Sequence, residues 1–155
     1  MIVVEAESVE PERVAGSHEC TIVFANGETR GAAAGSLLLA DYAVMSPSSA
    51  LHIDSPAAWA GVIWRVGRDA VHLLTTSTTR FDASEALDAQ LIDAIAENAA
   101  LLFDSRSAMA LDSAATLISW QGGDALERAE FARLFAVGEP QRGLAAFLGK
   151  RRPRF

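Results

Sequence analysis

The stretch Gly31-Ala32-Ala33-Ala34-Gly35-Ser36-Leu37-Leu38-Leu39-Ala40-Asp41 decides how the rest of the chain is interpreted. It follows the strand-like run 20–24 and an Asn-Gly turn, so the pattern predicts a strand that leads into a tightly packed helix. Small side chains let the unpaired amides at a helix N-terminus face a ligand oxygen, which makes Gly35 and Ser36 candidate oxyanion donors. Small residues are equally typical of a helix that packs closely on a sheet.

Composition limits the class of protein. The chain has 155 residues, half of them hydrophobic, which predicts one domain over residues 1–155 with a sizeable core. No apolar run is long enough to cross a bilayer, so we expect no membrane partner. The net charge of −7 argues against a nucleic-acid partner, because backbone phosphates would be repelled. Alanine-rich helices that bury little surface each predict an oligomer.

The single cysteine, Cys20, excludes an intramolecular disulfide and a cysteine-rich zinc site. His18 has no second histidine or carboxylate pair at metal-ligand spacing, so no metal is predicted. The first residues lack the pattern of a signal peptide, and we expect a cytoplasmic protein. Basic residues crowd the end of the chain and could meet a nucleotide phosphate, although a solvated basic tail explains them as well; they are Arg142, Lys150, Arg151, Arg152 and Arg154.

The hydrophobic periodicity predicts an α/β chain with short strands early and helices late. A break is expected at Gly67, and Asp82 or Ser84 is expected to cap a helix. Residues 90–95 fit a short strand or a helix start. The predicted strands cover residues 1–7, 20–24, 42–45 and 50–54, and the predicted helices cover residues 57–66, 70–75, 124–137 and 141–149. Residues 98–110 and 111–120 fit two helices or one broken helix.

Four stretches in this order resemble the crotonase superfamily, the enoyl-CoA hydratases and isomerases. The first is Gly31 to Asp41, which is similar to the glycine-rich oxyanion segment and its helix. The others are Arg65-Val66-Gly67-Arg68-Asp69-Ala70, then Phe81-Asp82-Ala83-Ser84-Glu85-Ala86-Leu87 with Gln90-Leu91-Ile92-Asp93, and finally the ending Arg142-Gly143-Leu144-Ala145-Ala146-Phe147-Leu148-Gly149-Lys150-Arg151-Arg152-Pro153. The resemblance implies a partial crotonase-like fold, with a much shortened first half and a helical second half.

The resemblance also implies a ligand, an acyl-CoA thioester, whose carbonyl oxygen is held by two backbone amides. One amide corresponds to Gly35 or Ser36, whereas the loop that carries the other is missing from the 30 residues before Gly31. In the family, the C-terminal helix lies near coenzyme A, so Phe147 could meet the adenine and Lys150 a phosphate. Packing of Phe147 on a neighbouring subunit is the competing explanation.

Acid/base chemistry in the hydratases uses two glutamates. This sequence has no glutamate between Gly31 and Ser84, and a leucine stands where the first is expected. Asp54 is the only carboxylate near the position expected for the second glutamate, and His52 could assist it as an acid/base group. Asp54 could instead cap the helix that begins near Pro56, and His52 could be an ordinary strand residue.

Two hypotheses about function follow. The first is an enoyl-CoA hydratase/isomerase-type enzyme, a lyase, isomerase or thioester hydrolase, in which Gly35 and Ser36 polarise the carbonyl and Asp54 moves protons. Coenzyme A thioester is then substrate or ligand, and no further cofactor is expected. The second is an inactive paralogue that serves as a structural or regulatory subunit. It would form a trimer or dimer of trimers, or join a full-length crotonase homologue.

Overall fold

A computed structural model describes residues 2–17, 19–75, 79–103, 106–119 and 123–155. The chain divides into two compact units, a larger one of residues 2–17 and 21–99 and a smaller one of residues 19–20 and 100–155. The single-domain organisation of residues 1–155 stays a prediction. His18 lies outside the described residues. Within the described ranges, no helix combines the length and apolar character needed to cross a membrane.

The larger unit contains seven described strands: β1 (Ile2–Glu5), β2 (Thr21–Ala25), β3 (Glu28–Thr29), β4 (Tyr42–Met45), β5 (Ala50–His52), β6 (Arg80–Asp82) and β7 (Ala94–Ile95). One sheet has the order β1-β2-β4-β7 with all neighbours parallel. The second has the order β3-β5-β6, in which β3 and β5 are parallel and β6 is antiparallel to β5. Parallel strands with helical connections define an α/β fold, as predicted.

The described helices are α1 (Pro11–Ala15), α2 (Gly31–Leu39), α3 (Pro56–Thr75), α4 (Ala83–Asp88), α5 (Ala99–Phe103), α6 (Ala108–Ser119), α7 (Gly123–Ala136) and α8 (Glu139–Leu148), with a 3₁₀ turn at Ala6–Ser8. The break predicted at Gly67 is confirmed, since this residue has φ of 78° inside α3. Residues 90–95 end in the short strand β7 rather than a helix. The cap of α4 is Asp82, whose side chain accepts from the amide of Glu85 in a reciprocal capping box.

The core of the larger unit forms where α2 crosses α3. Leu37, Leu38, Leu51 and Val62 are completely buried there. Gly35 permits the close approach, because a Cβ added at this position would lie 2.6 Å from the Cβ of Ala57. The small residues of the opening stretch therefore serve helix packing, against a second helix in addition to the sheets.

Arg65 joins α3 to the end of α2. Its guanidinium donates to the carbonyls of Leu38 at 2.9 Å and Ala40 at 2.8 Å, and pairs with Asp93 at 2.9 Å. Asp93 also accepts from the amide of Ala43 at 2.7 Å. The last carbonyls of a helix lack intrahelical donors, so this arginine satisfies them while fixing α3 beside β4.

The smaller unit consists mainly of α6, α7 and α8. The carboxylate of Glu130 on α7 accepts from the hydroxyl of Ser113 on α6 at 2.7 Å and from Arg133 at 2.9 Å. The bonds from Arg133 and then Ser113 hold the pKa of Glu130 below its ordinary value. Several large apolar side chains of α7 and α8 are nevertheless exposed: Phe131, Phe135, Leu144, Phe147 and Leu148.

Candidate functional site

The N-terminus of α2 carries the candidate site of the larger unit. Gly31 opens the helix in the left-handed conformation, with φ of 57°, and the residue before it, Arg30, is extended and forms no side-chain cap. The amide of Gly31 donates to Asp54 Oδ1 at 2.9 Å, and the amide of Ala34 donates to the carbonyl of Arg30 at 3.3 Å. The amides of Ala32 and Ala33, between them, have no acceptor within the helix.

Gly35 and Ser36 occupy a different position from the one predicted. The helix begins at Gly31, so both residues lie in its second turn, where each amide donates to the carbonyl four residues back. Ser36 is completely buried, and its hydroxyl donates to the carbonyls of Val9 at 2.6 Å and Ala32 at 3.1 Å. Neither residue offers a free amide, and the first-turn amides of Ala32 and Ala33 replace them as candidate oxyanion donors.

Asp54 is a capping residue, but not of the helix that sequence reasoning named. It follows β5 and reaches back to the start of α2, while the start of α3 is capped by Ser55, whose Oγ accepts from the amide of Ala58 at 3.1 Å. The Ser55 hydroxyl also donates to the carbonyl of Gly31 at 2.9 Å. The turn after β5 therefore fixes both helix starts at once.

His52 is buried in β5 and its Nε2 forms a hydrogen bond with Glu28 Oε2. Arg80 on β6 lies 3.2 Å from Glu28 Oε1, and Arg30 lies 3.5 Å from Glu28 Oε2. Arg30 also approaches Asp54 Oδ2 at 3.6 Å. His52 and Asp54, predicted together from the sequence, are thus connected through Glu28 and Arg30 rather than in direct contact.

The electrostatics of this cluster centre on Glu28. Its hydrogen bonds with His52 and then Arg80 hold the pKa of the Glu28 carboxyl below its ordinary value. An ionised carboxylate only accepts hydrogen bonds, so Nε2 of His52 carries the hydrogen between them. Glu28 and Arg80 were missed by sequence reasoning, because β3 is only two residues long and β6 only three, too short for a periodic pattern. Arg30 was missed as well, since it lies between β3 and α2.

Phe147 and Lys150 lie in the smaller unit at the end of α8. Phe147 is 78% exposed, and Lys150 follows the helix with φ of 47° while its amide donates to the carbonyl of Phe147 at 3.1 Å. Both side chains are open to a ligand or to another protein. Their assignment to coenzyme A stays a prediction.

Among the described residues, no group of three or more histidine, cysteine, aspartate or glutamate side chains has the geometry to hold a metal ion. The polar groups at the α2 N-terminus consist of backbone amides, one carboxylate and an arginine. The amides and the arginine suit an oxygen atom that carries partial or full negative charge, whereas the Asp54 carboxylate is already paired with the Gly31 amide and Arg30.

No protein-family model matches the sequence, and no curated protein is significantly similar to it. Solved structures match over nearly the whole chain. The enoyl-CoA hydratase from Polaromonas sp. JS666 is 21% identical with a TM-score of 0.68, and the match covers 93% of this chain and 65% of that one. The enoyl-CoA hydratase/isomerase from Cupriavidus metallidurans CH34 is 21% identical with a TM-score of 0.64, covering 92% and 63%.

A third similar structure, the enoyl-CoA hydratase/isomerase from Marinobacter aquaeolei, is 20% identical with a TM-score of 0.63, and the match covers 92% of this chain and 63% of that one. The chain thus spans less than two thirds of the length of these proteins. The likeness concerns the path of the backbone, since four residues in five differ. The chain has a partial enoyl-CoA hydratase/isomerase (crotonase) fold, as the resemblance of its sequence predicted.

Proposed function

We propose that the chain binds an acyl-CoA thioester, with the carbonyl oxygen of the acyl group at the first turn of α2. The observation that carries this proposal is the pair of amides of Ala32 and Ala33, which lack acceptors within the helix and follow an uncapped Arg30. Their N–H groups and the positive end of the helix dipole favour an oxygen with developing negative charge. The fold shared with enoyl-CoA hydratases supports the ligand class.

Binding is proposed before turnover, because Asp54 is engaged on both oxygens. One accepts from the amide of Gly31 at 2.9 Å and the other faces Arg30 at 3.6 Å. Proton transfer by Asp54 therefore requires its contacts with the Gly31 amide and Arg30 to loosen when the thioester binds. His52 would act on Asp54 through Glu28 and Arg30. Hydratase, isomerase or thioester hydrolase activity is therefore the second step of the proposal.

The binding experiment compares crotonyl-CoA with free coenzyme A by calorimetry. We expect crotonyl-CoA to bind at least about tenfold more tightly, since only the thioester reaches the two amides. Ala32→Pro removes one amide hydrogen at a position where proline is tolerated, and should abolish that preference. Ala32→Ser keeps the amide and serves as the control. Equal affinity for both ligands, or a wild-type preference in the proline variant, would contradict the proposal.

A non-catalytic subunit is the second candidate function. The exposed apolar side chains of α7 and α8, Phe131, Phe135, Leu144, Phe147 and Leu148, favour it, because isolated soluble proteins rarely leave so many uncovered. This function predicts a homo-oligomer, or co-purification with a full-length crotonase homologue. Sedimentation velocity measures the oligomeric state of the purified chain. An oligomer, together with the absence of a thermal shift on addition of acyl-CoA ligands, would favour this candidate over the first.

A further inference from the structure

The smaller unit contains a pocket of about 410 Å³ that neither candidate function uses. Its walls come from the start of α6, from α7, from α8 and from the last residues of the chain. Leu134, Pro140 and Phe155 supply apolar surface, and Arg106, Ser107 and Glu139 supply polar groups. A concave site with mostly apolar walls and a few polar groups is the usual form of a small-molecule site, and its volume lies in the usual range.

Glu139 is the unusual member of this pocket. It is the first residue of α8 and only 8% exposed. Its Oε1 accepts from Arg142 at 3.1 Å, whereas its Oε2 is buried and has no hydrogen-bond partner among the described residues. A buried carboxylate oxygen without a donor is costly and is rarely kept in a folded protein without a reason.

The charges around the pocket restrict what can meet this oxygen. Arg142 already pairs with the Glu139 carboxylate, and Arg106 adds a second positive group to the wall, so a cationic ligand is not required. An anionic ligand would be repelled by the Glu139 carboxylate. The missing partner is therefore a neutral hydrogen-bond donor.

The shape of the pocket favours a ring. The rings of Pro140 and Phe155 line the pocket, and Gly143 adds no side chain to it, since a Cβ added there would meet only the ring of Phe155 at 3.9 Å. Aromatic rings pack well on such rings. The buried Ser107 uses its Oγ to accept from the amide of Ala110 at 3.1 Å, and its hydroxyl hydrogen is available to a ligand oxygen.

We propose that this pocket binds a small neutral aromatic alcohol, whose hydroxyl donates to Glu139 and whose ring packs between Pro140 and Phe155. The last torsion of a glutamate side chain is broad, so the carboxylate can turn its second oxygen toward the hydroxyl. The site is independent of the α2 N-terminus, and its test does not depend on the acyl-CoA proposal.

The test uses 4-ethylphenol and its methyl ether, 4-ethylanisole, which has the same ring but no donor. Titrations of the full chain are followed by ¹H–¹⁵N correlation spectra. We expect saturable shifts at Ser107, Gly143 and Phe155, and at least about tenfold tighter binding of the phenol. Shifts centred elsewhere, equal affinity for the two compounds, or no saturation at millimolar concentration would overturn the proposal.

Two variants separate the donor contact from the shape of the pocket. Glu139→Leu removes the acceptor and should make the phenol and the ether bind equally, whereas Gly143→Leu fills the space and should abolish binding of both. Glu139→Gln keeps an acceptor oxygen and should preserve the preference. Circular dichroism checks that each variant folds, and an unchanged phenol preference in a folded Glu139→Leu protein would also overturn the proposal.

Discussion

The carboxylate of Asp54 accepts a hydrogen bond from the backbone amide of Gly31 at 2.9 Å, across 23 positions of sequence. Asp54 thereby caps the N-terminus of α2, a role that normally belongs to the residue just before the helix. The helix starts at Gly31 because a side chain from the turn after β5 satisfies its first amide. The candidate thioester site and the stability of the fold thus share one carboxylate.

Replacing Asp54 tests this capping role. Asp54→Ala leaves the Gly31 amide without its acceptor, and we expect a loss of about 1 kcal/mol in the free energy of unfolding. Asp54→Asn keeps an acceptor oxygen and should lose clearly less. Urea denaturation measures both, with Glu97→Gln as an exposed control. A stability of the alanine variant equal to that of the wild type would show that the contact contributes nothing.

The guanidinium of Arg65 should be far more important to stability. Arg65→Lys cannot reproduce its three contacts with Leu38, Ala40 and Asp93, and leaves a carboxylate with a poorer partner. We expect a loss of about 2–4 kcal/mol, in the range of other broken, largely buried charge pairs. The same substitution at the exposed Arg68 is the matched control on α3. Similar unfolding midpoints for the two lysine variants would contradict this role.

Gly35 provides a test in which two effects have opposite signs. Alanine in a helix is favoured over glycine by up to about 1 kcal/mol, but a Cβ at Gly35 would lie 2.6 Å from Ala57. We expect the clash to win, with Gly35→Ala destabilised by about 1–3 kcal/mol. Thermal unfolding of the single variant measures this loss, and the double variant Gly35→Ala/Ala57→Gly should recover part of it.

Gly143 is the control for that substitution. It lies inside α8, and an added Cβ there has only an ordinary contact with Phe155 at 3.9 Å. Gly143→Ala should therefore be neutral or stabilising by up to about 1 kcal/mol. Destabilisation of both alanine variants to the same extent would mean that the close crossing of α2 and α3 is not what requires Gly35.

The sequence alone predicted the fold well because its signals are local. The strand at Tyr42–Met45 appears with the predicted bounds, and the break at Gly67 and the cap at Asp82 follow from backbone and hydrogen-bonding preferences of single residues. The order of four short motifs then indicated the crotonase fold, which backbone similarity to solved structures confirms. Such features require no knowledge of distant contacts.

The site was harder to predict because its geometry depends on distant contacts. The first turn of α2 begins at Gly31 since Asp54 reaches it from another turn, so the free amides lie three residues before Gly35 and Ser36. Glu28, which connects His52 to Arg30, belongs to a strand of two residues that has no pattern of its own. Sequence reasoning named the two ends of the network, His52 and Asp54, and missed the charged side chains between them, Glu28 and Arg30.

The pH dependence of stability tests that network. The folded protein lowers the pKa of Glu28 through His52 and Arg80, so the ionised form is the one that folding favours. Its contribution is fully present above the ordinary glutamate pKa of about 4.3 and is lost as the pH falls through the lower folded value. We expect wild type to be more stable than Glu28→Gln at about pH 5, and the difference to shrink by about pH 3.

Chemical denaturation of wild type and Glu28→Gln at several pH values across this interval measures the difference in their free energies of unfolding. Glu97→Gln, at an exposed position, is the control for the removal of a carboxylate. If the stability difference between wild type and Glu28→Gln grew as the pH fell, its pH dependence would have the opposite sign to the one predicted. It would mean that His52, Arg30 and Arg80 do not favour the charged form of Glu28, and the connection between His52 and Asp54 would lose its electrostatic basis.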